Sequence, residues 1–136
     1  MHKIINFFSH NDESGKLFSF ESKKNIPFDV KRIYTISSTH SLRPRGFHAH
    51  KSLQQVIVAI NGSVDFILDD GSSRDTVTLD DPSKGLFISG LLWREMINFK
   101  DGCILIIFCD DYYNNQDYIR DYDEFLQMSN AGLKIK

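Results

Sequence analysis

The sequence predicts an all-β domain, built as an antiparallel barrel or sandwich and followed by one short helix. Two features of the chain indicate this class. Short runs of apolar residues, several of them alternating with polar residues, recur at close spacing and are separated by turn signals. Beyond residue 113 the apolar residues follow the spacing of a helix instead. A chain of 136 residues can close one sizeable core, so we expect a single domain over residues 1–136.

The predicted strands extend from residue 17 to residue 109. In chain order they are 17–20, 30–36, 56–60, 63–69, 76–79, 86–88, 96–99 and 103–109. Asn61-Gly62 is a strong hairpin signal between two of them, and Asp101-Gly102 predicts a turn before the last. Further turns are predicted at 70–71 and 80–82. The run 103–109 is almost wholly apolar, which is typical of a strand buried on both faces.

The helix prediction covers residues 114–128, where Asn114 or Asn115 can cap the first turn. On such a helix Arg120 would form a surface ion pair with Asp117 or Glu124. The apolar residues that recur there at helical spacing are Tyr118, Ile119, Tyr122, Phe125 and Leu126.

The composition indicates a soluble cytoplasmic protein. The formal net charge of -2 supplies no general positive field for a polyanion. Cys103 and Cys109 lie six residues apart in an apolar run, too far along one strand to bond, which favours two buried thiols in a reducing compartment. The N-terminus lacks the apolar core of a signal peptide, and no apolar run approaches the roughly 20 residues that cross a bilayer.

The candidate chemistry centres on two histidines, His48 and His50, in the segment 45–50. In an extended strand both imidazoles project from the same face, with their Cα atoms roughly 7 Å apart. Histidine takes and gives protons near neutral pH and is also a common metal ligand. On its own, however, such a pair indicates two surface or packing histidines at least as well.

The residues around the pair resemble the motifs of the cupin barrels, in which His-x-His, a Glu and a later His are metal ligands. Gln55 stands where the Glu belongs, and Arg94 occupies the position of the later His, four residues before Asn98. An amide and a permanently charged guanidinium therefore replace two ligands of a metal ion. We predict no metal here, but a site for acid–base chemistry and anion binding.

Other residues are candidates for substrate contact. Arg45 and Arg32 can bind phosphate in a bidentate manner, with a solvated surface charge as the alternative. Tyr34 can donate a hydrogen bond to a substrate oxygen or simply pack in the barrel. Trp93, near Glu95, can form a wall against a sugar or base or pack in the core.

Taken together, these segments resemble the WxcM-like sugar-nucleotide 3,4-ketoisomerases of the cupin superfamily. The stretches that carry the resemblance are 25–28, 31–34, 44–51, 61–63, 67–71, 93–96, 110–113 and 117–125. Arg-Gly-Phe-His-Ala-His at 45–50 and Asp-Tyr-Ile-Arg-Asp-Tyr at 117–122 are the most specific of them. The resemblance implies a cupin or jelly-roll β-barrel, no metal, no other cofactor, and a homodimer that exchanges N-terminal strands.

The resemblance also implies a reaction, in which the keto group of dTDP-4-dehydro-6-deoxy-D-glucose moves from C4 to C3 through an enediol. His48 and His50 match the catalytic histidines of the family, and Arg120 matches an arginine near its active site. We expect Tyr34 to donate a hydrogen bond to O4, with Arg120 as the second candidate for this role.

For substrate binding, we expect Arg45 and Arg32 to hold the diphosphate. The further binding candidates are Trp93, Arg94 and Glu95. The expected product enters the synthesis of dTDP-linked deoxy or amino sugars for a surface polysaccharide. The alternatives are a sugar-nucleotide 3,5-epimerase of related form, a non-catalytic cupin that senses a small ligand and, third, a metal-dependent dioxygenase.

Overall fold

Ten β-strands and one α-helix make up the part of the chain that the computed structural model describes, residues 1–37 and 43–134. The predicted domain, 1–136, also includes residues 38–42, 135 and 136, which lie outside the described residues. The strands are β1 (His2–Asn6), β2 (Ser9–Asp12), β3 (Gly15–Phe18), β4 (Arg32–Ile36), β5 (Arg45–His50), β6 (Gln55–Asp69), β7 (Arg74–Leu79), β8 (Lys84–Ile88), β9 (Trp93–Cys109) and β10 (Tyr118–Ile119). A 3₁₀ turn, Asn115–Asp117, precedes β10, and the helix α1 covers Tyr122–Lys134.

Eight of these strands form one antiparallel sheet that curls into a half-barrel. The strand order is β1-β8-β6-β9-β5-β10, with β4 added on β9 and β7 on β6, while β2 and β3 form a separate two-stranded sheet. The largest cluster of buried apolar side chains comes mostly from β6, β8 and β9. Four of its members, Ile57, Phe66, Met96 and Ile107, also line a small cavity beneath His48. The predicted all-β architecture with one C-terminal helix is confirmed.

The hairpin prediction at Asn61-Gly62 is wrong, because β6 continues through these residues to Asp69. The register with β9 shifts on both sides of Asn61, and Gly62 has a φ of +66°, so the two residues form a β-bulge. A Cβ atom on Gly62 would overlap the carbonyl oxygen of Lys100 and lie 2.8 Å from Cα of Cys103. Asn-Gly supplies the positive φ that both a hairpin turn and a bulge require, and the sequence signal is the same for both.

The predicted turn at Asp101-Gly102 is also wrong, because both residues lie inside β9. Their φ angles are 57° and 65°, and they lie opposite the bulge of β6. The side-chain amide of Asn61 donates to the carbonyl oxygens of Asp101 (3.1 Å) and Gly102 (2.9 Å) and joins the two bulges. Facing bulges bend both long strands at one point, which curls the sheet. By contrast, the predicted turns at 70–71 and 80–82 are confirmed.

The helix starts eight residues later than the predicted start at residue 114. Asn114 caps the 3₁₀ turn, where its side chain accepts a hydrogen bond from the Gln116 amide. Tyr118 and Ile119 then pair with β5 as a short strand, opposite His50 and Ala49. Pairing with the sheet overrides the helical spacing of these residues, and this pairing brings the segment to the histidines.

The N-terminal residues form β1, a strand that the sequence pattern did not predict. It pairs with β8 of the same chain, with His2 opposite Ile88. The exchange of N-terminal strands between two subunits stays a prediction. No helix in the described ranges is long and apolar enough to cross a membrane.

Candidate active site

The two histidines lie side by side on β5, as the sequence predicts. The imidazole centroids of His48 and His50 are 4.9 Å apart, and the rings are nearly perpendicular, at 87°. The register between β5 and β9 shifts between Gly46 and His48, where Gly46 and Phe47 have φ angles of 91° and 56°. A Cβ atom on Gly46 would lie 3.0 Å from the carbonyl oxygen of Arg94, so glycine lets β5 approach β9 closely here.

Tyr118 of β10 packs against both histidines. Its ring centroid lies 5.1 Å from that of His48 and 4.4 Å from that of His50. The guanidinium of Arg120 lies over the ring of Tyr118, 4.2 Å from its centroid, and donates to Asn115 Oδ1 at 3.0 Å. The expected surface ion pair of Arg120 is therefore wrong: within the described residues, this side chain stacks on Tyr118 and pairs with no carboxylate.

His50 is fully buried and has a carboxylate partner that the sequence did not reveal. Its Nδ1 lies 3.2 Å from Asp117 Oδ2. The same carboxylate accepts hydrogen bonds from the Ser52 amide (2.9 Å), the Ser52 hydroxyl (2.9 Å) and the Leu53 amide (3.3 Å). Because an ionised carboxylate only accepts, Nδ1 carries the proton and Nε2 is left unprotonated. This buried Nε2 has no hydrogen-bond partner among the described residues.

Both histidines are neutral at physiological pH. Burial lowers the pKa of His48 to about 4, and the nearby charge of Arg94 adds to the effect. Burial, Arg94 and His48 likewise lower the pKa of His50. Burial raises the pKa of Asp117, but the hydrogen bonds from Ser52 and the neighbouring His50 outweigh this, so its pKa is lowered and it stays ionised. A neutral imidazole is the form that can take up a proton.

Arg94 and Gln55, the two departures from the metal-binding motif, contact each other. Arg94 is 2% exposed, and its Nη1 donates to Gln55 Oε1 at 2.6 Å while its Nη2 donates to the carbonyl oxygen of Leu92 at 2.9 Å. Burial lowers the pKa of this guanidinium to about 10, so it remains charged at neutral pH. Gln55 in turn donates to the Tyr34 hydroxyl at 3.0 Å. No three His, Cys, Asp or Glu side chains of residues 1–37 and 43–130 come together in a way that could hold a metal ion.

Most of the predicted site residues meet at one open cavity of about 350 Å³. Its lining residues are Arg32, Tyr34, Thr35, Ile36, Arg45, Gly46, His48, Met96, Tyr118 and Arg120. His48 thus faces the open cavity, whereas His50 faces a second cavity of about 210 Å³ that it shares with Asp117 and Tyr118. Three arginines around a neutral histidine and a phenol can bind an anionic substrate and move a proton on it.

Trp93 and Glu95 lie away from this cavity. Trp93 is 3% exposed and packs against Tyr122 and Phe125 of α1, with ring centroids 5.2 and 5.7 Å apart. Its Nε1 donates to Glu95 Oε2 at 2.9 Å, and Glu95 also pairs with Arg74 at 3.5 Å. Successive side chains of a strand point to opposite faces, so Arg94 faces the histidines while its two neighbours face the helix. The structure thus places Trp93 in the core rather than against a substrate.

Two residues of this site, Asp117 and Tyr118, were missed as functional candidates. Both lie in the segment predicted as a helix, where Asp117 was only a possible surface partner of Arg120. The specific motif at 117–122 was the one signal for them, because it marked the segment without assigning roles to these two residues.

Comparisons with known proteins show which family this chain belongs to. A family model described as "FdtA: WxcM-like, C-terminal" matches residues 1–130. The chain is 48% identical over 123 residues to TDP-4-oxo-6-deoxy-alpha-D-glucose-3,4-oxoisomerase from Aneurinibacillus thermoaerophilus, and the match covers 90% of this chain and 88% of that protein.

Among solved structures, a 3,4-ketoisomerase from Helicobacter canadensis is 48% identical, with a TM-score of 0.91, and the match covers 95% of this chain and 97% of that one. A mutant of the 3,4-ketoisomerase QdtA from Thermoanaerobacterium thermosaccharolyticum, in complex with TDP-4-keto-6-deoxyglucose, is 39% identical with a TM-score of 0.93. That match covers 96% of this chain and 94% of the other. These matches confirm the predicted cupin-type barrel with its C-terminal helix.

Proposed function

Because the chain belongs to the FdtA family of WxcM-like C-terminal domains, we propose that it is a 3,4-ketoisomerase of TDP-4-keto-6-deoxyglucose. The observation that carries this proposal is the neutral His48 on the wall of a cavity that two phenols and three arginines also line. The relatives at 48% identity support the reaction and the class of substrate.

The chemistry requires a base, and His48 is that base. The C4 ketone acidifies the C3 proton, which passes to the imidazole of His48 while the electron pair of the C3–H bond forms the enediolate. Return of a proton to C4 and loss of the C3 hydroxyl proton place the ketone on C3. General acid–base catalysis of this kind contributes about 10²–10⁴ in rate. C4 is reduced as C3 is oxidised, so the reaction is balanced without an external oxidant or reductant.

His50 assists His48 without lining the open cavity itself. It is held by Asp117 and contacts both His48 and Tyr118, but it does not line the open cavity. In this role His50 fixes the position of the His48 ring and provides a second neutral imidazole for proton transfer. The tautomer that Asp117 imposes leaves Nε2 of His50 as a proton acceptor.

The arginines of the cavity and the Tyr34 phenol bind the rest of the substrate. Arg45 and Arg32 hold the diphosphate, because guanidinium groups bind phosphate oxygens in a bidentate manner. Tyr34 donates to the C4 oxygen, where negative charge develops, and Arg120 lies on the same cavity. We assign no substrate contact to Trp93 and Glu95, and Arg94 acts from its buried position.

The wider role follows the same proposal. The protein works in the cytoplasm as a homodimer with exchanged N-terminal strands, without a metal or another cofactor. Its 3-keto product supplies TDP-linked deoxy or amino sugars for a surface polysaccharide such as an O-antigen or an S-layer glycan. Light scattering of the purified protein checks the dimer, since a monomeric mass would contradict it.

One experiment tests the activity against its alternatives. The protein is incubated with TDP-4-keto-6-deoxyglucose in D₂O, and the sugar is followed by NMR. A ketone at C3 with deuterium at C4 is the expected result. Deuterium at C3 or C5 with the ketone still at C4 would indicate the epimerase, and binding without any change in the sugar would indicate the ligand sensor.

A further inference from the structure

A directed chain of buried hydrogen bonds ends at the Tyr34 hydroxyl. Arg94 Nη1 donates to Gln55 Oε1 at 2.6 Å, and Gln55 Nε2 donates to Tyr34 Oη at 3.0 Å. The same Gln55 nitrogen also lies 3.6 Å from Sγ of Cys109. Gln55 is 2% exposed, so these side chains, and not water, are the partners that orient its amide.

The direction of this chain is fixed by Arg94. A guanidinium group has only donors, so the amide oxygen of Gln55 must face it and the amide nitrogen must face Tyr34. The reverse orientation of the amide would oppose two N–H donors at 2.6 Å. The Tyr34 oxygen therefore accepts from Gln55, and its own proton must be donated elsewhere.

Within the described residues, the space left for this proton is the side of the ring next to His48, where Tyr34 lines both the open cavity and the small cavity beneath His48. No side chain or backbone group of the described residues accepts a hydrogen bond from Tyr34, and its side chain lines the cavity next to His48. We propose that Gln55 is a positioning residue that fixes Tyr34 as the hydrogen-bond donor to the C4 oxygen of the substrate. This inference rests on the proposed function for the identity of that oxygen.

The positive charge of Arg94 lets this series of hydrogen bonds stabilise negative charge on the substrate. Arg94 has no ion-pair partner among the described residues, so its positive charge is not neutralised locally. When the C3 proton moves to His48 and the electron pair reaches the C4 oxygen, that oxygen gains negative charge at the opposite end of the chain. Burial raises the pKa of Tyr34, so the phenol keeps its proton at neutral pH even though Gln55 and Arg94 act to lower that pKa.

The first test is the isosteric substitution Gln55→Glu, which reverses the direction of the hydrogen bond between residue 55 and Tyr34. A carboxylate accepts from both Arg94 and Tyr34, so the phenol proton is drawn away from the substrate. We expect kcat to fall by about a hundredfold, at the low end of the roughly 10²–10³ loss typical of removing one donor to a developing oxyanion. KM and the binding of TDP should stay within about twofold, because the lost interaction strengthens only in the transition state.

Two comparisons separate positioning from a structural effect. In the Tyr34→Phe background, Gln55→Glu should cause no further loss of kcat, because both substitutions remove the same donor. Gln54→Glu adds the same charge one residue away and should leave kcat unchanged. Gln55→Met, which breaks the link without reversing it, should reduce kcat less than Gln55→Glu does. A Gln55→Glu enzyme with wild-type kcat, or losses that add in the double variant, would overturn the proposal.

A second measurement does not depend on activity. With ¹³C-labelled tyrosine, the Cζ signal of Tyr34 is assigned by its loss in Tyr34→Phe. In Gln55→Glu this signal should move downfield, toward the phenolate position, because the phenol changes from acceptor to donor at residue 55. An unmoved signal would overturn the positioning role. If the unmodified chain does not isomerise the sugar but the signal moves as expected, the proposed function fails and the orientation of Tyr34 by Gln55 is supported.

Discussion

Replacing Asp117 with asparagine tests whether His50 depends on its carboxylate partner. An asparagine with its oxygen toward Ser52 keeps both hydrogen bonds from that residue. Its NH₂ group then faces Nδ1 of His50 and the amide of Leu53, both of which donate to the carboxylate in the native protein. We expect His50 to respond by moving its proton to Nε2, so that the free lone pair of this nitrogen is lost.

The size of the effect follows from the four hydrogen bonds that Asp117 accepts. Each is worth about 1 kcal/mol, but Ser52 is exposed and water can replace its two bonds. We therefore expect Asp117→Ala to lower the free energy of unfolding by about 2–3 kcal/mol and Asp117→Asn by about half as much. For activity, outer partners that orient the histidines of a site are typically worth about tenfold to a hundredfold, and we expect a fall in kcat of this size.

The assay combines initial rates of ketone migration by NMR with urea unfolding of the same proteins. Asp111→Asn is the matched control, since Asp111 is exposed in the neighbouring loop and, among the described residues, accepts only from the Tyr112 amide. Both its kcat and its stability should equal those of the native protein. An Asp117→Asn protein with native kcat would refute the reasoning, because the carboxylate would then have no influence on the histidines.

The remaining predictions concern the base, its titration and the bulge. His48→Asn should lower kcat by about 10²–10⁴ while TDP binding by calorimetry stays within about twofold; native turnover would contradict its assignment as the base. The pKa of His48 is lowered to about 4, so kcat/KM should stay level from pH 8 to about 5 and fall with a midpoint near pH 4. A midpoint near the ordinary histidine pKa of about 6.5 would contradict the burial of a neutral ring. Between those two values the unfolded chain binds a proton at His48 that the folded chain does not, so His48 alone should make stability fall with decreasing pH, by about 3 kcal/mol at pH 4, measured as the difference between urea titrations of the native protein and of His48→Asn. Gly62→Ala should lower the free energy of unfolding by more than about 3 kcal/mol, because the added Cβ overlaps the backbone of β9. Gly102→Ala, whose added Cβ would have its nearest contact at 3.6 Å, should cost only the left-handed strain of about 1–2 kcal/mol. Equal losses of stability would contradict the close packing of the two bulges.

Local sequence patterns predicted the fold correctly wherever the structure of a segment depends on its own residues. The period-two runs and the turns at 70–71 and 80–82 appear as expected. The patterns failed where contact with a distant strand determines the local structure. Asn61-Gly62 carries the signal of a hairpin, and only the approach of Lys100 and Cys103 makes it a bulge. Tyr118 and Ile119 have helical spacing, and only their pairing with His50 and Ala49 makes them a strand.

Most of the candidate site was predictable, since its residues on β4 and β5, and Arg120 beyond β10, were all named from the sequence. A period of two correctly places His48 beside His50, and Tyr34 and the arginines at 32 and 45 reach the same cavity. Asp117 and Tyr118 could not be found this way, since their contact with the histidines depends on the strand β10. The sequence left Trp93 either in the core or against the substrate, because it does not tell which face of β9 the helix covers.

The two departures from the metal-binding motif, which the sequence presents separately, form one coupled feature in the structure. A buried guanidinium in place of a ligand needs an acceptor, and Gln55 supplies it at 2.6 Å. A glutamate at this position would also accept, but it would neutralise Arg94 and accept the phenol proton of Tyr34 as well. The neutral amide instead leaves the positive charge uncompensated, and that charge adds to burial in lowering the pKa of His48. The same pair of residues thus keeps the histidine free to act as a base and directs the phenol toward the oxygen that receives the resulting charge.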